Sequence, residues 1–143
     1  MSREQKVKVA LAHAAAETEG DLEATLATLD PDPVYELQPI GLEVRGMDAA
    51  RAYYEYFFAN FMPLVEGFEL RSEWENDEGL GQEYVMRLRN KVSGQVEIHP
   101  IIGILLFGET GLSGERLYAS ESLFKVMFGP IYDQAVPARA SAG

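Results

Sequence analysis

The chain has no cysteine, which removes a disulfide framework, a thiolate nucleophile and any Cys-based zinc site. Histidine is scarce: there are two, His13 and His99, and neither has a partner at ligand spacing. With no HExxH pattern and no carboxylate cluster, no metal site is expected. Positive charge is scarce as well, with 12 Lys and Arg against 23 Asp and Glu and a net charge of −11. Such a balance repels a phosphate backbone or an anionic membrane surface, so neither nucleic acid nor a membrane is an expected partner. No run approaches the ~20 apolar residues of a membrane span. The opening Met-Ser-Arg-Glu-Gln-Lys carries charges where a signal peptide needs its apolar stretch, and a cytoplasmic location is expected. No phosphate-binding loop, GxSxG elbow or triad order is found, and no cofactor is expected.

What remains is ample for folding. The 143 residues are 47% hydrophobic and 10% aromatic, the composition and length of one ordinary domain. Residues 3–19 are rich in Ala, Glu and Lys without a breaker until Gly20, which predicts a helix stopped by that glycine. Asp21 caps a second helix, DLEATLATL, whose Leu22, Leu26 and Leu29 form one apolar stripe ended by Pro-Asp-Pro at 31–33. A short strand, VYELQ, and a loop, PIGLEVRG, lead to an aromatic third helix over 47–61. Four strands then follow. In GFELRSEWE the residues Phe68, Leu70 and Trp74 share one parity, and in GQEYVMRLR so do Tyr84, Met86 and Leu88, the alternation of half-buried antiparallel strands. VEIHPIIGILLF is apolar on both parities, as in a central strand covered on both faces, and ERLYASESLF is the last. EWENDE and EGLGQE read as solvated strand ends and a turn. The predicted architecture is α+β: three N-terminal helices on a curled antiparallel sheet that leaves a pocket. One domain spans 1–130, and 131–143 form a partly frayed tail.

The GDLEA turn at 20–24, the RGMDAARAYYEYF helix entry at 45–57 and ERLYASESLF at 115–124 resemble the NTF2-like superfamily of cone-shaped domains. Within it, the chain resembles the SnoaL-like proteins and steroid Δ-isomerases. The resemblance implies a hydrogen-bonding tyrosine on the first helix, where this chain has His13, and a catalytic aspartate before a Pro-x-Gly turn, where it has Gln38. It implies a second acid on the central strand, where Gly103 stands, and a pocket tyrosine on the third helix, matched by Tyr54. An amide cannot take up a proton as a carboxylate does, so steroid-type isomerisation by the implied base is not expected.

Candidate residues follow from residue type and parity. His13 is exposed, or satisfied by a neighbouring carboxylate, or reaches the cavity as an acid, base or hydrogen-bond donor, since imidazole titrates near neutral pH. His99 shares a parity with Glu97, and alternation leaves open whether it faces pocket or interface. Glu121 shares a parity with Leu117, Ala119 and Leu123; facing inward it is a desolvated acid or base, otherwise a solvated strand end. Tyr35, Tyr54, Trp74 and Tyr84 read as core and pocket wall, with hydroxyls able to orient a ligand alongside Gln38 and His99. The expected function is cofactor-independent proton transfer on a small apolar, aromatic or polyketide-like molecule, as in an isomerase, dehydratase, cyclase or lyase, with His13 and Glu121 as the acid/base pair. The alternative is a binding or assembly module without chemistry. Either way a homodimer is expected through the second apolar face of the central strand.

Overall fold

The computed structural model of the protein describes residues 1–139. Helix α1 (Arg3–Glu19) opens with a capping box at Ser2 and Gln5 and closes on Gly20, whose φ of 72° only glycine adopts readily. Asp21 caps α2 (Leu22–Ala27) by accepting from Ala24 N. Strand β1 (Leu29–Gln38) starts at once, so Pro31 and Pro33 lie within it. They are tolerated because pairing with the neighbouring strand lapses between Leu29 and Val34.

The segment expected to be a loop holds β2 (Leu42–Arg45), which forms a hairpin with β1 in the register Leu37↔Leu42. Helix α3 (Met47–Tyr56) runs into a π-helical turn (Phe57–Phe61), and together they bury Tyr53, Tyr54, Phe57 and Phe61. Strands β3 (Val65–Glu75), β4 (Gly79–Arg89) and β5 (Val96–Phe107) form a meander close to the expected bounds. Strand β6 (Leu112–Tyr118) is shorter than expected, and α4 (Glu121–Phe128) takes over behind the Ser120 cap. Leu123, Phe124, Met127 and Phe128 are buried at helical spacing, a period invisible when the pattern is followed only as far as Phe124.

Residues 131–139 of the segment expected to fray are placed. A 3-10 turn (Gly129–Gln134) buries Ile131, and β7 (Val136–Pro137) pairs with β2. Residues 140–143 lie outside the described residues. The sheet order is β3-β4-β5-β6-β1-β2-β7. It is mixed rather than wholly antiparallel, because β1 pairs with β6 in parallel. Among the described residues no helix is long and apolar enough to cross a membrane.

Register assigns the faces of the sheet. Leu80, Gln82, Tyr84, Met86 and Leu88 of β4 share the inner face with His99, Ile101, Gly103 and Leu105 of β5 and with Glu115 and Leu117 of β6. The helices pack an aromatic core on this side, with Tyr53 stacked on Phe128 at 4.1 Å. The outer face carries Ile98, Ile102, Ile104 and Leu106 without cover from any helix among the described residues, and Ile98 is 59% exposed.

Candidate functional site

Between α1, the π-helical turn and the inner face of β3–β6 lies a cavity of about 410 Å³. Phe57, Met62, Val65, Phe68, Leu70, Met86 and Leu105 make it mostly apolar, while Glu17, Glu19, Glu115, Gln82 and Tyr84 bring polar groups to it. Two of these carboxylates come from opposite walls and are biased in opposite directions.

Glu17 projects from the last turn of α1 and is held from behind. Tyr54 donates its hydroxyl to Glu17 Oε1 at 2.7 Å, and His13 Nε2 lies 3.1 Å from the same oxygen. Further back, Thr28 donates to the Thr25 carbonyl at 2.7 Å, so its oxygen receives the proton of His13 Nδ1 at 2.6 Å. This fixes the ring's orientation and turns Nε2 toward Glu17, to which it donates when the ring carries its second proton. Tyr35 then donates to Tyr54 at 2.7 Å. Burial raises the Glu17 pKa, but the charge and hydrogen bond of His13 and the hydrogen bond of Tyr54 outweigh it, and the carboxyl sits below its ordinary value. Its side chain is still 27% exposed, which is the part that meets the cavity.

Glu115 faces the same cavity from β6, opposite Leu105 in the register. Its Oε2 occupies the space that the missing side chain of Gly103 leaves open, since a Cβ there would lie 2.6 Å from that oxygen. No hydrogen bond or ion pair among the described residues holds it. Burial first, and then the negative charge of Glu17, push its pKa well above the ordinary carboxyl value. Tyr84 lines the cavity too, and burial followed by the two carboxylates raises its hydroxyl pKa, so it stays a donor.

These positions change several sequence-based assignments. Glu121 is not an inward carboxylate: it opens α4 on the surface and accepts from Tyr132 at 2.8 Å. Trp74 is not pocket wall. Arg71 is an extra residue in β3, a bulge that reverses the alternation, so Trp74 pairs with Gly81 on the outer face, opposite to Phe68 and Leu70. Gln38 does not line the cavity; it ends β1 on the parity opposite Tyr35 and Leu37. His99 shares the inner face with Met86 but lies outside the cavity and bonds Glu97 at 3.2 Å. His13, Tyr35 and Tyr54 are fully or almost fully buried behind Glu17 and touch the cavity only through it. Of the eight expected residues, Tyr84 lines the cavity directly.

Glu17 and Glu115 each carry a signal in the sequence. Glu17 follows His13 by four residues, the spacing that puts both on one face of a helix. Glu115 shares one parity with Leu117, Ala119 and Glu121, and because the strand ends at Tyr118 it is Glu115 that stands on the inner face of the sheet. Among the described residues, no group of three or more His, Asp or Glu is placed to hold a metal ion.

Scans against protein-family models and curated proteins find no match to this chain. Solved structures do match. A proposed SnoaL-like polyketide cyclase from Jannaschia sp. CCS1 superposes with a TM-score of 0.68 at 15% identity, over 91% of this chain and 97% of that one. A ketosteroid isomerase-like protein from Catenulispora acidiphila, in complex with trimethylamine, gives 0.62 at 18% identity over 87% and 95%. An NTF2-like protein of unknown function from Burkholderia xenovorans gives 0.61 at 22% identity over 82% and 85%. The fold is therefore NTF2-like.

Proposed function

We propose that this NTF2-like domain moves protons on a small, largely apolar molecule held in the cavity, with Glu17 as the base, Glu115 as the acid and no resident cofactor. One observation supports this above the others: two carboxylates with opposite pKa biases open into one apolar space. A base that stays ionised and an acid that stays protonated are the two groups that isomerisation, dehydration, cyclisation or a lyase reaction needs. His13 and Tyr54 are positioning residues, since they act on the substrate only through Glu17. Tyr84 is a further hydrogen-bond donor facing the cavity.

The test needs no natural substrate. A benzisoxazole that opens when a base removes its ring proton is a small, flat, neutral probe for a carboxylate in an apolar pocket. The protein is expected to open it faster than an equal concentration of free carboxylate. Glu17→Gln should remove that gain, a loss of at least about 10²-fold if the base does its usual share. Equal rates for the parent and Glu17→Gln would overturn the assignment of the base.

A second reading is a binding module without chemistry. It draws on Gln38 and Gly103, which stand where the resemblance implies carboxylates, and on the fold neighbour that holds a small amine, trimethylamine. Ligand retained unchanged, with no probe turnover, favours it. In either reading the outer sheet face, with Ile98, Ile102, Ile104 and Leu106, pairs with a second copy of the chain.

A further inference from the structure

We infer that the cavity is built for a hydrophobic amine, whose nitrogen takes the proton of Glu115 and is held as an ammonium between the Glu115 and Glu17 carboxylates. The inference rests on Glu115 being the acid of the site and goes further by naming the group that the acid meets.

Charge inventory is the first argument. Three carboxylates line the cavity, Glu17, Glu19 and Glu115, and no lysine, arginine or histidine does. Glu19 is exposed and screened by solvent, but Glu17 and Glu115 are half-buried against apolar walls, so the site opposes an anionic ligand, or one that becomes anionic, and favours a cation.

The second argument is the missing partner. The carboxylates of Glu17 and Glu43 are paired inside the protein, Glu17 with His13 and Tyr54, Glu43 with Arg45 at 3.0 Å. Glu115 has no such partner, although Gly103 keeps room for it and it faces the cavity. The hydroxyl of Tyr84, half-buried on the same cavity wall, is also without a partner among the described residues. Glu115 is half-buried, and its unpaired carboxyl oxygens are free to pair with a cationic ligand in the cavity.

The walls supply the rest. Phe57, Phe68 and Tyr84 offer aromatic rings, which attract an ammonium over their faces, and Met62, Val65, Leu70, Met86 and Leu105 take an apolar body. About 410 Å³ suits a ligand of one ring with a short side chain.

The step is a single proton transfer. The O–H bond of Glu115 breaks, its electron pair stays on the carboxylate, and an N–H bond forms on the amine. A ligand that arrives already protonated gives the same ion pair, and the Glu115 proton goes to solvent instead.

Calorimetry on the full chain with three matched probes tests this: 2-phenylethylamine, 2-phenylethanol and phenylacetate. The amine should bind about tenfold tighter than the alcohol or better, each tenfold being one decade in Kd, and phenylacetate should not bind. Titration in two buffers of different ionisation heat should show protons released on binding the amine and none with the alcohol. Glu115→Gln should cancel the amine preference and the proton release. Equal affinity for amine and alcohol, or a preference that survives Glu115→Gln, overturns the inference. If benzisoxazole turnover persists in that case, the amine inference alone has failed. If none of the three probes binds the folded protein and turnover is absent too, the inference and the proton-transfer reading fall together.

Discussion

Glu115 is a residue whose removal should strengthen the fold and disable the site. Burial and the charge of Glu17 favour its neutral form, so its folded-state pKa lies above the ordinary 4.5. Its contribution to stability is full below that value and is lost as pH rises through the raised one. Glu115→Gln should therefore raise Tm at about pH 8 and change it little at about pH 4, each kcal/mol relieved being worth about 3 °C in a chain of this size. Differential scanning calorimetry at the two pH values checks this, and a loss of stability at alkaline pH would contradict it. Glu17 has the opposite sign. Its depressed pKa gives stability that is present above 4.5 and lost as pH falls through the lower folded value. Glu17→Gln should cost about 1–3 kcal/mol near neutral pH by stranding His13 and Tyr54, as denaturant unfolding would measure. Tyr54→Phe removes one donor from Glu17 and should raise its pKa, visible as a shifted carboxyl titration. The sequence alone offers a neighbouring carboxylate as one partner for His13, and the fold supplies Glu17. It could not show that this neighbour, rather than the imidazole, meets the cavity.

The elements that were legible are those with an uninterrupted period. α1 and β5 are found with their expected bounds because the first has no breaker before Gly20 and the second is one apolar run. The failures trace to local events that a periodic pattern does not encode. One extra residue, Arg71, sends Trp74 to the other face of β3. The Ser120 cap converts the expected end of a strand into α4, and the turn at Gly41 folds an expected loop into the β1–β2 hairpin. Trp74 is the chain's one tryptophan and is 39% exposed on the outer face, so its fluorescence reports this element directly. Its emission should be open to acrylamide quenching in dilute protein and should not change when 2-phenylethylamine fills the cavity. A ligand-induced shift with the oligomeric state unchanged would place the indole on the wrong face.

At the scale of the whole molecule, one face of the sheet is covered by helices and the other is not. The uncovered face puts Ile98, Ile102, Ile104 and Leu106 together on the central strand, where a second copy of the chain would bury them. Sedimentation at micromolar concentration should give twice the 15.9 kDa of the chain. Ile98→Lys should return a folded monomer, because that side chain is already exposed in the single chain and its loss does not touch the core. A parent protein that sediments as a monomer would remove the dimer. The cavity lies on the inner face, away from Ile98, Ile102, Ile104 and Leu106.

The central claim is that one cavity holds two carboxylates driven apart in proton affinity. Carbon-13 NMR of glutamate-labelled protein, with Glu17→Gln and Glu115→Gln used for assignment, follows both carboxyls through a pH titration. The account requires Glu17 to titrate below 4.5 and Glu115 well above it, with Glu115 moving down toward its ordinary value when Glu17 is made neutral. Two carboxyls that titrate together near 4.5, each indifferent to the other's substitution, would contradict it.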